Sequence, residues 1–212
     1  MDLIRGAGRP HTWNRRQTLI REGDHPDGVV LIGAGLTKIT KHCENGYTST
    51  LAVRGAGELV GEQACLDGGR RSATVTALEQ VSGVVVPLDR FRRLLSADEA
   101  LCLAVLCGMS VRLRDSEVLR ADHGAWPGPV RVGQVLLGLA VRYGTDARER
   151  PGARSVPLNQ NELAGAAATS RETVQRTMRR LQREGLADGA RGRVVVLDPA
   201  RLRRWVDAQT SR

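Results

Sequence analysis

Val156-Pro-Leu-Asn-Gln-Asn-Glu-Leu-Ala-Gly-Ala-Ala-Ala-Thr-Ser-Arg-Glu-Thr-Val-Gln-Arg-Thr-Met-Arg-Arg-Leu-Gln-Arg-Glu-Gly-Leu186 is the stretch on which the reading of this chain turns. Asn159 is placed to cap a short helix whose Leu163 and Ala164 face inward. The small residues Gly165 through Ala168 let a second helix approach closely. Ser170 caps that helix, with Thr173 where a full capping box has Glu or Gln. Val174, Met178 and Leu181 then recur at i, i+4 and i+7 and form one buried face. Arg171, Glu172, Gln175, Arg176, Arg179 and Arg180 occupy the start and the opposite face. That distribution suits a helix lying in a DNA major groove, its first turn on base edges and its later residues on phosphates. Arg pairs bidentately with guanine and Glu accepts from cytosine, so a carboxylate within an Arg-rich face points to base reading. An ordinary helix pair with an Arg-rich solvated face would need neither the cap nor the small-residue turn.

Outward from the helix pair, Leu186-Ala-Asp-Gly-Ala-Arg-Gly-Arg-Val-Val-Val-Leu-Asp198 reads as a β-hairpin. Gly189 and Gly192 are expected in its turn, with Arg191 and Arg193 near the tip as phosphate contacts that position rather than specify. The charge distribution agrees. Residues 1–124 carry 16 Lys+Arg against 15 Asp+Glu, whereas residues 125–212 carry 16 against 8, so +8 of the chain's +9 sits in the C-terminal part. A localised positive excess is the footprint of a polyanion, with nucleic acid ahead of an acidic membrane surface.

Upstream, a helix from Val130 to Tyr143 follows a breaker cluster, His123-Gly-Ala-Trp-Pro-Gly-Pro129, read as a hinge, and precedes a polar loop over 144–154. Before the hinge, Ser96-Ala-Asp-Glu opens a long helix, in which Cys102, Leu106, Met109, Leu113 and Ser116 fall at 4,3 spacing. Such a stripe either pairs two copies of the chain or packs on its own domain. Asp89 to Leu95 reads as a shorter helix. From Gln17 to Pro87 the chain is a run of short β-branched segments, beginning at Thr18, Gly28, Leu36, Tyr47, Ala73 and Gly83 and separated by Gly-rich turns. That pattern indicates a β-sandwich or barrel, with Asn45-Gly46 the sharpest hairpin signal.

Several classes are disfavoured. No run of about 18 apolar residues suggests a membrane span, and Met1 to Arg5 lacks the apolar core of a secretory signal. Cys43, Cys65, Cys102 and Cys107 show no C-x-x-C spacing, and His11, His25, His42 and His123 lie far apart, so no metal site is expected. Gly55-Ala-Gly57-Glu-Leu-Val-Gly61 imitates a dinucleotide-binding glycine motif, with Glu79 at a suitable distance. Asp67-Gly-Gly-Arg70 interrupts the helix that such a unit requires. No constellation supports a catalytic site, and the chain is not expected to be an enzyme.

Ser170-Arg-Glu-Thr-Val-x-Arg176 resembles the recognition-helix signature of the CRP/FNR family of bacterial regulators, and Thr18-Leu-Ile-Arg-Glu-Gly-Asp24 resembles its sensor barrel. The resemblance implies an α+β chain with three parts. These are an effector-sensing β-barrel (jelly roll) of the cyclic-nucleotide-binding type over 1–97, a dimerisation helix over 98–123, and a winged helix-turn-helix over 124–212. It implies that Arg171, Glu172 and Arg176 read a half-site similar to TGTGA, with Asn159, Asn161, Ser170, Gln175, Arg179, Arg180, Arg191 and Arg193 toward phosphates. In the barrel, Gly61-Glu62 with Arg71-Ser72-Ala73 resembles the family's phosphate cassette, Arg71 and Ser72 for a phosphodiester and Glu62 for a ribose hydroxyl. The family's base-recognising Thr-Ser pair corresponds to Ser116 and Glu117, and Glu117 would bring a charge to the base. Control by cyclic AMP or cyclic GMP, and a ligand-independent regulator whose barrel is only a scaffold, therefore both stay open. The iron–sulphur branch is not expected, because its clustered N-terminal cysteines are missing. The implied partners are double-stranded DNA, a second copy of the chain and RNA polymerase, with no membrane, in the cytoplasm on the nucleoid. Pro127 stands where the family often has an Asp capping the helix after the hinge, so the hinge is expected to be stiffer or differently set.

Overall fold

The β-branched run Gly28-Val-Val-Leu-Ile32 is buried on both sides, and that one strand organises the N-terminal half. The computed structural model describes residues 2–44, 46, 48–147, 150–190 and 192–210. The chain divides into two units, Met1–Leu119 and Arg120–Arg212.

The first unit begins with α1 (Asp2–Ala7), β1 (Arg9–Trp13), β2 (Thr18–Ile20), β3 (Gly28–Ala34), β4 (Thr37–His42), β5 (Thr48–Arg54) and β6 (Leu59–Val60). It continues with α2 (Glu62–Asp67), β7 (Thr74–Ala77), β8 (Val81–Pro87), α3 (Leu88–Ala97) and α4 (Glu99–Ala125), the last running past the unit's end. Two four-stranded antiparallel sheets, ordered β1-β8-β3-β6 and β2-β7-β4-β5, form an open jelly roll rather than a closed barrel. Trp13, Ile20, Val30, Ile32, Val60, Val75, Ala77 and Val81 fill the space between them. Alternate residues of β3, Val29 and Leu31, join Ile4, Phe91, Leu101 and Val105 in a second core under the helices. A strand covered on both faces reads as continuous apolar sequence, which is why β3 lacks alternation. β1 and β6 escape sequence reading because Arg9-Pro-His-Thr-Trp13 is mostly exposed and Leu59-Val60 is only two residues long. The Asn45-Gly46 hairpin signal falls partly outside the described residues, as do Tyr47 and Arg191. β4 and β5 nonetheless pair antiparallel, His42 opposite Thr48.

Two readings of the long helix need correction. Its cap is Asp98, whose Oδ1 accepts from the Leu101 N–H at 2.7 Å, while the Ser96 hydroxyl bonds back to the Arg92 carbonyl inside α3. The expected 4,3 stripe is also rotated. Met109 packs on the domain's own core and Cys102 is half-buried, because that side of α4 follows Leu101 and Val105 inward. Leu103, Leu106, Leu113 and Val118 are each more than half exposed, and Val111 is exposed beside them. Leu103, Leu106, Ser110 and Leu113 thus carry the 3,4,3 spacing.

The second unit holds α5 (Gly128–Tyr143), β9 (Thr145–Asp146), β10 (Arg154–Val156), α6 (Gln160–Ala166), α7 (Arg171–Arg183), β11 (Ala187–Ala190), β12 (Arg193–Val196) and α8 (Pro199–Thr210). A sheet ordered β11-β12-β10-β9 adds two strands to the expected hairpin, taken from the segment read as a polar loop and its margin. Gly189 lies within β11 opposite Val194 rather than in the turn, whereas Gly192 has φ +76°, the left-handed backbone a hairpin turn needs. α8 has no counterpart in the sequence reading; its Leu202 and Val206 are buried, and Trp205 lies against α5. The contact demands a glycine there, since a Cβ on Gly133 would sit 2.8 Å from Trp205 Cζ3 and 3.1 Å from Val206 Cγ2.

Candidate functional site

The helix-turn-helix is built by two caps and one turn. Asn159 Oδ1 accepts from the backbone N–H of Asn161 (2.9 Å) and Glu162 (3.0 Å), and Glu162 Oε2 accepts from the Asn159 N–H at 2.8 Å. This is a complete capping box. Its Glu162 half goes beyond the sequence reading, although Asn159-x-x-Glu162 carries the signal. Leu163 and Ala164 are buried, as expected. The turn runs through Ala168 at φ +44°, left-handed for a residue with a Cβ. The Ser170 hydroxyl then accepts from the Thr173 N–H at 3.1 Å and opens α7. Val174, Met178 and Leu181 are buried, with Thr177 beside them. Arg171, Glu172, Gln175, Arg176 and Arg179 stand exposed.

Electrostatics distinguish these side chains. The Glu172 carboxyl is held below its ordinary range, first by its own backbone N–H and then by the Ser170 hydroxyl. It therefore stays an acceptor-only anion at neutral pH, the form that can take a hydrogen bond from cytosine N4. Arg180 is engaged within the protein. Its Nε donates to Glu184 Oε1 at 2.8 Å, and its guanidinium lies 5.2 Å from the centre of the Trp205 ring. Arg193 opens β12 and is exposed. Gln182 Nε2 donates to Asp188 Oδ1 at 3.0 Å, tying the hairpin to the back of α7.

Arg131 carries no signal that singles it out in the sequence. It extends from α5 to the helix-turn-helix, donating from Nε to the Ala167 carbonyl (2.9 Å) and from Nη2 to the Ala168 carbonyl (2.7 Å). Its Nη1 donates to the carbonyls of Trp126 (2.7 Å) and His123 (3.2 Å). Pro127 precedes α5 with no side-chain cap, so the hinge is held from Arg131 instead.

In the jelly roll the five cassette residues do converge. Gly61 (φ +84°) starts α2, and a Cβ there would sit 2.7 Å from Arg71 Nη1. The Arg71 guanidinium is buried. Nη1 donates to the Gly61 carbonyl (2.7 Å) and toward Cys65 Sγ (3.7 Å), and Nη2 to the Gly28 carbonyl (2.6 Å) and Asp27 Oδ1 (2.8 Å). All four terminal N–H groups are thus engaged. Burial pushes the Cys65 thiol up, so it stays protonated beside this cation. Ser72 is exposed, its hydroxyl 3.4 Å from Gln63 Oε1, and Ala73 is buried. Glu62 is buried and its Oε1 accepts from Arg112 Nη1 at 2.5 Å, while Arg112 Nη2 donates to the Leu59 carbonyl at 2.6 Å. Arg112 is absent from the sequence reading; the available signal is its position one helical turn before Ser116. Ser116 and Glu117 themselves lie exposed on α4, so Glu117 is not a buried charge within this chain. Among the described residues no three metal-ligating side chains cluster. No single described helix is long and apolar enough to cross a membrane, and α3 and α4, which meet both conditions only as a pair, are bent by 111°.

Comparison with known proteins agrees with both halves. Residues 10–98 match the model of the cyclic nucleotide-binding domain, and residues 130–205 that of the Crp-like helix-turn-helix domain. A CRP-like cAMP-activated global transcriptional regulator of Mycobacterium tuberculosis is 29% identical over 198 residues, covering 92% of this chain and 87% of that one. The cyclic AMP receptor protein of Thermus thermophilus is 29% identical over 202 residues, covering 95% and 90%. The solved structure of a CRP/FNR-family transcriptional regulator, also from Thermus thermophilus, superposes with a TM-score of 0.78 at 21% identity, covering 95% of this chain and all (100%) of that one.

Proposed function

The chain belongs to the CRP/FNR family of transcription regulators, and from that premise we propose that it binds a TGTGA-like palindrome as a homodimer. Two α7 helices enter successive major grooves, about 34 Å apart. One observation carries this reading: a capped helix whose back face is buried while Arg171, Glu172 and Arg176 stand exposed on its front. Arg171 and Arg176 take guanine edges and ionised Glu172 takes a cytosine amino group. Asn161, Ser170, Gln175, Arg179, Arg191 and Arg193 supply phosphate contacts that fix register. Asn159 contributes chiefly through its cap. Arg180, committed to Glu184 and Trp205, is the weakest member of the phosphate set. The parts follow the order sensor domain over 1–97, dimer helix over 98–123 and DNA-binding domain over 124–212. Leu103, Leu106 and Leu113 form the apolar seam of the dimer. The protein acts without catalysis, in the cytoplasm on the nucleoid, with RNA polymerase as its further partner.

For the sensor domain, two readings rest on different observations. The match to the cyclic nucleotide-binding model, and relatives described as cAMP-activated, support cyclic AMP or cyclic GMP held by Gly61, Glu62, Arg71, Ser72 and Ala73 with Ser116 and Glu117 from α4. The engaged state of Arg71 and the Glu62–Arg112 pair support a ligand-independent regulator, because a phosphodiester and a ribose would have to displace partners already in place. Titration of a palindromic TGTGA-type duplex and a scrambled duplex, with and without each nucleotide, tests both. Specific binding only with nucleotide selects the first reading, and specific binding without it selects the second. Equal affinity for the two duplexes rejects the assignment of base readers.

A further inference from the structure

Arg131 sits between two sets of carbonyls that secondary structure leaves unpaired. His123 and Trp126 lie at the end of α4 and just beyond it, and Ala167 and Ala168 lie just beyond α6. The last carbonyls of a helix have no intrahelical donor, and the helix dipole leaves partial negative charge there. One planar guanidinium reaches all four, at 2.7 to 3.2 Å, and so caps both helix ends at once. The same surfaces meet at a second point. A Cβ on Gly128 would lie 2.6 Å from Thr169 Oγ1 and 3.0 Å from Thr173 Cγ2, so the start of α5 packs directly on the turn and first helical residues of the recognition element. The turn itself includes Ala168 in a left-handed conformation that an alanine seldom adopts, and its carbonyl is one that Arg131 holds.

We propose that Arg131 is a positioning residue for DNA recognition: its guanidinium fastens the helix-turn-helix turn to the end of α4, so that α7 moves with the hinge as one piece. The proposal rests on the DNA-binding reading for its consequence but not for its geometry. A lysine keeps the charge yet presents a point donor on a flexible stem, which cannot span four carbonyls in one plane. A guanidinium aimed at carbonyls is also not a phosphate contact. Removing it weakens specific binding without altering how binding depends on salt, whereas removing a cation that neutralises one phosphate lowers the salt slope by about 0.9.

The test uses the full chain and its Arg131→Lys and Arg131→Gln variants, in two measurements. In hydrogen exchange, both variants speed exchange of the amides over 123–130 and 167–173 together, by about tenfold, while those of β11 and β12 keep their rates. Acceleration in only one segment, or in neither, overturns the clamp. In titrations of the palindromic TGTGA-type duplex across a salt series, both variants bind about tenfold more weakly with the wild-type slope. A slope lowered by about 0.9 in Arg131→Gln makes the residue a phosphate contact and overturns the proposal. Ala168→Gly added to Arg131→Lys restores much of the exchange protection, because glycine adopts the turn without being held. A wild-type chain that prefers no duplex rejects the DNA reading alone, and the exchange result still decides the clamp.

Discussion

Replacing Arg112 by Met should destabilise the N-terminal unit far more than an average substitution, and the structure sets the size. The Glu62 side chain is 9% exposed and that of Arg112 23%, so the pair is largely out of water. Breaking such a pair from one side strands a buried charge and costs about 3–5 kcal/mol, the lower figure applying where one partner keeps some solvent. Arg112→Met also leaves the Leu59 carbonyl without its 2.6 Å donor. With an unfolding entropy of about 2.1 cal/mol/K per residue, a unit of 119 residues has about 0.25 kcal/mol/K, so 3 kcal/mol lowers its melting temperature by about 12 °C. Calorimetry of the full chain measures the shift. The double variant Glu62→Leu with Arg112→Met is the control, because exchanging both charges for apolar groups is often neutral or stabilising. It should melt within about 4 °C of the wild type, giving a coupling energy above about 2 kcal/mol. A single variant that loses less than about 4 °C, or a double variant as unstable as the sum of its parts, means that Glu62 is not a stranded buried charge without Arg112.

Three further outcomes are expected. Gly133→Ala gains up to about 1 kcal/mol of helix propensity but loses more, about 1–3 kcal/mol, by driving Trp205 off α5; calorimetry and the tryptophan emission maximum report both. Burial, and then the positive Arg131, hold His123 below its usual 6.5. As pH falls past 6.5 the unfolded chain takes up that proton before the folded one does, so His123 makes stability decline until pH reaches the folded value. Urea midpoints between pH 7.5 and 5 should show this, with a flatter profile in His123→Gln. Arg171→Ala should cost about 1–3 kcal/mol at one base position, while Arg193→Ala should weaken specific and scrambled duplexes alike; equal losses in both cases would reject Arg171 as a base reader.

The recognition helix was the most legible part of the chain because its signals are local. A cap at Ser170, apolar residues at i, i+4 and i+7, and arginines on the opposite face are all fixed within a few residues. The jelly roll was legible as a class for the same reason, since Gly-rich turns between β-branched segments declare short strands whichever way they pair. β1, β6 and β9 were not, because their residues carry little apolar pattern and become strands only by pairing with neighbours distant in sequence. The outward stripe of α4 escaped for the same reason. Only the packing of Leu101, Val105 and Met109 on the sheet decides which stripe is left outward.

Spacing and residue type alone set out the division of labour: a balanced β-rich half, a breaker cluster, and a basic half with a capped, arginine-faced helix. The sequence also singled out Gly61, Glu62, Arg71, Ser72 and Ala73, which the fold gathers around the start of α2. What those residues are bonded to was left to the tertiary structure. The partners of Arg71 at Asp27 and Gly28, of Glu62 at Arg112, and of Arg131 at Ala167 and Ala168 lie between 36 and 50 positions away in the chain. The reach of a guanidinium is a few ångströms in space and has no counterpart in spacing along the chain. Residue type therefore announced the charges, and the fold alone chose which of them would be free.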